Sequence, residues 1–270
     1  MLNKLKRKEG INIRICTEAD RNMLNEFLNE KPVFHTFLLS DIEQYGFDKP
    51  FQTVYVQEQA GKCQGVFMKY FQNLILAGIE NALDYQKIAT LVSDEITSIM
   101  GNAEIVRCVV KHMSKNSNMI YNNLYIHQTQ KQQAVPFTIQ YATLEDVDRI
   151  YTFLMSFPEI KNLYAQKDML INRLEQEEGI HVFIEKDGQI IAHGNSAAAA
   201  ENTCMMGGIC VAKAYRGKGY AKAILQTLCN HIHKQNKIPC IFAPEEKAYS
   251  IFTELGFEVY GRWGVAHITK

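Results

Sequence analysis

Residues 11–28, INIRICTEADRNMLNEFL, and residues 137–154, FTIQYATLEDVDRIYTFL, match at a constant offset of 126. Thr17 pairs with Thr143, Asp20 with Asp146, Leu24 with Ile150, Phe27 with Phe153 and Leu28 with Leu154. Each copy passes from strand-prone residues to a Thr whose hydroxyl can cap a helix, and a carboxylate three positions on can reach back to it. A second echo joins VYVQEQAGKCQGV (54–66) to VFIEKDGQIIAHG (182–194), each a β-branched and aromatic run, a Gly-containing turn and another run. The chain is therefore expected to be an α/β (α+β) protein of two similar lobes, each opening strand, helix, hairpin. The glutamine-rich stretch HQTQKQQAVP (127–136) ends in a proline that disfavours helix before it, so the boundary is expected between 1–132 and 133–270.

Lys plus Arg and Asp plus Glu both number 29, so no global basic field exists to hold nucleic acid. The seven cysteines are scattered and never spaced Cys-x-x-Cys, which suggests neither a disulfide framework nor a zinc site. The basic start MLNKLKRKEG leads into no signal-length apolar core, and no stretch approaches the ~20 apolar residues of a membrane helix. A cytoplasmic protein without metal, membrane or nucleic-acid partner is expected.

The lobes diverge after the hairpin. Where the second has ICVAKAYRGKGYA, the first has LILAGIENALDYQKIA, without a glycine-spaced loop. CMMGGICV (204–211) reads as a buried strand in which Gly207 and Gly208 mark a bulge or a close backbone approach. Ala221, Ile224, Leu225, Leu228 and Ile232 line one helical face to about His233. Between them, the loop sits where a helix presents unpaired N–H groups and positive dipole charge. Gly217 and Gly219 can adopt positive φ and leave room for an anion, and Arg216 and Lys218 add attraction. A Walker loop is excluded by Ala212 and Gly219, and a dinucleotide fingerprint by Lys222. A purely structural turn remains open at this point.

The longer string from Ile209 to Ala221, I-x-V-x-x-x-x-R-G-x-G-x-A, resembles the cofactor motif of the GNAT N-acetyltransferase superfamily, with Arg216, Gly219 and Ala221 in its three key places. IPCIFA (238–243) follows as a strand, and EEKAYSIFTELGF (245–257) as a helix stopped by Leu255-Gly256-Phe257, as in that family. The similarity spans about 137–262; the first half resembles the same fold without the cofactor signature, as in two-lobed members.

The resemblance implies that acetyl-CoA, or another acyl-CoA, lies with its pyrophosphate on the backbone of Arg216, Gly217, Lys218, Gly219, Tyr220 and Ala221. Its pantetheine would lie along Ile209, Cys210 and Val211, where a backbone N–H would stabilise the oxyanion. The acceptor would be the amine of a small molecule or amino acid, and a homodimer is left open. Phe252 stands where the family often has a proton-donating tyrosine. Tyr249 is the nearest substitute, and Glu245, Glu201 and His193 are candidate bases. A non-catalytic acyl-CoA sensor is the alternative, and an aminoacyl-tRNA-dependent transferase a third reading, disfavoured because such enzymes do not need this loop.

Overall fold

A computed structural model describes residues 12–129, 135–158, 167–175, 179–245 and 250–269. The basic start, residues 130–134 of the expected linker and residues 246–249 of the expected last helix lie outside the described residues. The chain divides into two compact units, Met1–Asn123 with Arg262–Lys270, and Leu124–Gly261.

In the first unit β1 (Asn12–Ile15), β2 (Gln52–Gln59), β3 (Lys62–Tyr70), β4 (Asn73–Gly78) and β5 (Ser98–Asn102) lie side by side in that order. All neighbours are antiparallel except β4 and β5. Helices α1 (Arg21–Asn29), α2 (Thr36–Tyr45), the single-turn α3 (Tyr85–Ala89) and α4 (Ala103–Val110) flank this sheet. The next strand, β6 (Ser117–His127), runs through the unit boundary.

The second unit repeats the pattern with β7 (Gln140–Tyr141), α5 (Val147–Met155), α6 (Lys167–Glu175), β8 (His181–Lys186), β9 (Gln189–Ala199), β10 (Thr203–Val211), α7 (Tyr220–Lys234), β11 (Ile238–Pro244) and α8 (Ser250–Leu255). Its sheet runs β7-β8-β9-β10-β11, and again only the last of these pairs, β10 with β11, is parallel. The last strand, β12 (Phe257–Ile268), starts in this unit, while its Trp263–His267 stretch pairs antiparallel with Asn102–Ser98 of the first.

The repeat read in the sequence is a repeat of hydrogen bonds. Asp20 accepts from the N–H of Thr17 at 2.8 Å, and Asp146 from that of Thr143 at 3.0 Å. The following helices bury Leu24, Phe27 and Leu28 in one copy, and Ile150 and Leu154 in the other. Both hairpins turn on two residues of positive φ, Ala60-Gly61 (51° and 72°) and Asp187-Gly188 (51° and 75°), the requirement of the tightest turn that matches strand twist. Both also slip register at the same distance from the turn, between Gln57 and Glu58 and between Ile184 and Glu185.

The carboxylates at those slips are bridged to the helix-start aspartates by an arginine from a different element in each unit. Arg14 of β1 donates to Asp20 and Glu58, both at 2.6 Å, whereas Arg149 of α5 joins Asp146 and Glu185. The Arg14 guanidinium, against the opposing effect of burial, holds the Asp20 carboxyl down at about 2. A folded-state pKa below the unfolded value stabilises the fold above the unfolded pKa, and that contribution drains away as pH falls toward 2. Asp20→Asn is therefore expected to cost about 1 kcal/mol near neutral pH and much less near pH 2. The fluorescence of Trp263, the chain's one tryptophan and a core residue of the first unit, reads this out during urea unfolding.

Candidate functional site

The site is built on a flaw in the β9–β10 pairing. Gly207 stands opposite Asn195 and Cys210 opposite His193, so Gly208 and Ile209 together face Gly194 alone. Gly208 has φ 59°, the left-handed conformation that begins this kind of bulge. Helix α7 packs into the dent opposite: a Cβ on Gly194 would lie 2.4 Å from Ile224 Cγ2 and 2.7 Å from Ile209 Cδ1. The bulge expected at Gly207-Gly208 falls one residue on, at Gly208-Ile209, and the four alanines 197–200, read as strand, continue β9 to Ala199.

β10 and β11 part just before the bulge. Their parallel pairing runs from Thr203↔Ile238 to Met206↔Ile241 and stops one residue before the bulge, although the strands continue to Val211 and Pro244. Ala212 donates its N–H to Ile191 on the β9 side at 2.8 Å. By strand alternation the N–H of Val211 then faces the opposite edge, toward the opening. Cys210 turns its sulfur into the core with Ile150, Leu154 and Phe183, while Ile209 and Val211 pack on the α7 side. The Cys210 side chain is therefore structural, and its backbone, opposite His193, faces β9.

A short 3-10 turn (Lys213–Tyr215) leads from β10 into the glycine loop. Gly217 and Gly219 have φ 76° and 87°, so both adopt the left-handed conformation their spacing suggested, and Gly219 is the N-cap of α7. Among the described residues, a Cβ at Gly217 would meet nothing within 4 Å, and one at Gly219 only Phe137, at 3.8 Å. Backbone conformation, rather than crowding, calls for glycine here. The first bond of α7 joins Ala223 N–H to the Gly219 carbonyl, and among the described residues the N–H groups of Gly217 through Lys222 stand outside the backbone ladder. The Arg216 N–H differs, for it bonds the Lys213 carbonyl at 3.4 Å.

The cationic side chains brace the loop. Arg216 Nε donates to the Val211 carbonyl at 3.1 Å, tying the loop to the end of β10, and the ammonium groups of Lys218 and Lys186 both lie over the Tyr215 ring. Tyr220 packs on Phe137, with ring centres 4.7 Å apart. Phe137, an aromatic lid on the helix start, was not singled out in the sequence because it reads only as the first residue of the repeated strand. On α7, the expected Ile224, Leu225, Leu228 and Ile232 are buried, Ala223 joins them, and Ala221 is half-buried.

The corresponding stretch of the first unit is stitched shut. Gln57, fully buried, donates its amide to the Ala82 carbonyl and accepts from the Asp84 N–H, both at 2.9 Å. Leu83 fills the space over Gly65 and Gly78, and Asp84 caps α3 by accepting from the Lys87 N–H. A carboxylate therefore already sits where an anion would bind, on a helix of five residues.

Of the candidate acid and base groups, Glu245 is an exposed turn residue just past Pro244, at the end of β11 that has parted from β10. Tyr249 lies outside the described residues. Phe252 is buried and stacked on Tyr125, with centroids 4.8 Å apart. Tyr125 is a phenol that sequence reasoning missed, since it lies more than a hundred residues away in the other half of the sequence. His193 is fully buried, and burial pushes its pKa down to about 4. Among the described residues, no group of three or more His, Cys, Asp or Glu side chains could hold a metal ion, and no helix is long and apolar enough to cross a membrane.

Residues 144–257, within the second of the two compact units, match the acetyltransferase (GNAT) family. No curated protein matches the sequence. Solved structures share the fold over nearly the whole chain. An acetyltransferase of the GNAT family from Colwellia psychrerythraea matches with TM-score 0.57 and 16% identity over 96% of this chain and 100% of its own. A tandem GNAT protein from the clavulanic acid biosynthesis pathway matches with TM-score 0.58 and 11% identity over 95% and 97% of the two chains. A GCN5-related N-acetyltransferase-like protein from Streptococcus suis gives TM-score 0.61 and 12% identity over 94% and 100%. The family's chemistry is acyl transfer from an acyl-CoA.

The close fit at Gly194 gives a direct test of the dent. Gly194→Ala forces Ile224 or α7 to shift and is expected to cost about 1–3 kcal/mol in urea unfolding. An unchanged midpoint would show that the dent is not closely packed.

Proposed function

We propose that the chain is an acyl-CoA-dependent N-acyltransferase, acetyl-CoA being the favoured donor, that acylates the amine of a small molecule or an amino acid. Lobe 133–270 would do the chemistry, and lobe 1–132, lacking the loop, would not take the cofactor. The observation that carries this reading is the row of N–H groups from Gly217 to Lys222 left outside the ladder beside two left-handed glycines. Such a row, at the positive end of a fifteen-residue helix, suits a pyrophosphate.

The pantetheine would then run along Ile209, Cys210 and Val211 in the opening between β10 and β11, taking the edge that β11 leaves. There the Val211 N–H would donate to the thioester oxygen. Attack by the amine nitrogen forms the C–N bond and puts negative charge on that oxygen. Collapse breaks the C–S bond, CoA leaves as the thiolate, and the attacking nitrogen gives up a proton. A free alkylamine has a pKa near ~10.4, so a base must take that proton or deliver the amine neutral. Glu245, at the mouth of the opening, is assigned that role, and Tyr249 the protonation of the thiolate. Holding both reactants in one cleft supplies much of the rate.

Phe252 favours a second reading, a sensor that binds acyl-CoA without turnover, because a buried phenyl ring occupies the place of the family's proton donor. A thiol-release assay over a panel of amines separates the two. Amine-dependent release of CoA supports the enzyme, and tight binding without release on any amine supports the sensor.

Calorimetry tests the shared cofactor claim. Gly219→Val forces a β-branched residue into left-handed backbone and covers the N–H row, so CoA affinity should fall ~100-fold or more. Lys218→Ala removes one exposed charge and should cost no more than about fivefold. If both changes left the affinity untouched, the phosphate site would lie elsewhere.

A further inference from the structure

A buried pair of histidines serves a carbonyl of the bulge. His193 on β9 bonds the Gly208 carbonyl through Nδ1 at 2.9 Å, and its Nε2 lies 3.0 Å from Nδ1 of His181 on β8. His193 is 0% exposed and His181 1%. A carbonyl can only accept, so the His193 proton sits on Nδ1. Its Nε2 must then accept, so His181 donates from Nδ1. The two rings form a one-way chain, His181 to His193 to Gly208, and burial keeps His193 neutral across the physiological range.

The placing of this chain is specific. His193 is the direct cross-strand partner of Cys210, at the far end of the bulge, and the carbonyl it grips belongs to the left-handed residue that makes the bulge. One residue before that carbonyl is Gly207, where β10 and β11 have just stopped pairing, and immediately after it come Ile209, Cys210 and Val211. The hydrogen bond thus pins the point at which β10 is diverted.

We propose that His181 and His193 are positioning residues: by holding Gly208 they keep the edge of residues 209–211 turned into the opening, and so set the pantetheine and thioester end of the cofactor site rather than its phosphate end. This rests on the acyl-CoA reading for its purpose, but the clamp itself stands on the geometry. His193→Leu keeps apolar volume and removes the donor. His193→Asn puts an amide N–H at the same distance from the backbone as Nδ1.

Two measurements decide it. In hydrogen exchange of the free protein, His193→Leu should speed exchange over residues 207–211 about 10-fold while α7 stays protected, and His193→Asn should restore most of the protection. In calorimetry, His193→Leu should weaken acetyl-CoA about 10-fold, yet change by no more than about twofold the binding of adenosine 3′-phosphate 5′-diphosphate, the phosphate end of CoA without its pantetheine. His193→Asn should recover acetyl-CoA binding.

Unchanged exchange at the bulge, equal weakening of both ligands, or an Asn variant no better than Leu would overturn the proposal. Failure of the unaltered protein to bind either ligand would instead remove the acyl-CoA reading, and the exchange experiment would still settle whether the histidines hold the bulge.

Discussion

Two residues of β10 share one partner on β9, and the second unit is organised around that mismatch. The parallel pairing ends at Met206, just before the left-handed Gly208, and the strand leads into the glycine loop with its outer edge unpaired by β11. The dent on the other side receives Ile224 of α7, and the same helix offers its first-turn N–H groups beside the loop. One local irregularity therefore provides both halves of a cleft for a ligand with an anionic end and an extended arm.

The two units show what such a site requires, because they share nearly everything else. Capping carboxylates, hairpin turns, register slips and the lone parallel pair β4–β5 recur in the first unit. What differs is the fourth strand, paired regularly with the third in the first unit and bulged in the second, and the segment that follows it. Gln57 grips it from both sides, Leu83 plugs the glycine pair, and Asp84 takes the helix start for itself. Burying a loop obliges the chain to satisfy its polar groups internally, and once they are satisfied there is nothing left to bind a phosphate. The same architecture is thus finished as a closed core in one unit and left open in the other.

Much of this was legible in the sequence because it is local. The Thr17–Asp20 and Thr143–Asp146 spacings, the Gly-containing hairpin turns, the 3.6-residue period of α7 and the spacing of Gly217 and Gly219 each involve residues a few positions apart. Gly256, with φ 83°, ends α8 as its place after Leu255 suggested. What escaped depends on pairings between distant segments. The placement of Arg262–Lys270 in the first unit follows from a strand pairing across more than 150 residues, and no periodicity announces it. The exchange of Arg14 for Arg149 as the bridge between equivalent carboxylates is equally silent, since the donors sit at unequal positions in the repeat. His181 and His193 are twelve residues apart and meet only once the hairpin register is known.

The central claim is that the backbone of one loop, in one unit, receives the cofactor. Hydrogen exchange with and without saturating CoA addresses it amide by amide. The account requires new protection across residues 217–222 and at Val211, with none at residues 79–87 of the first unit. Protection confined to the first unit, or CoA binding that leaves the amides of 217–222 exchanging as before, would contradict it.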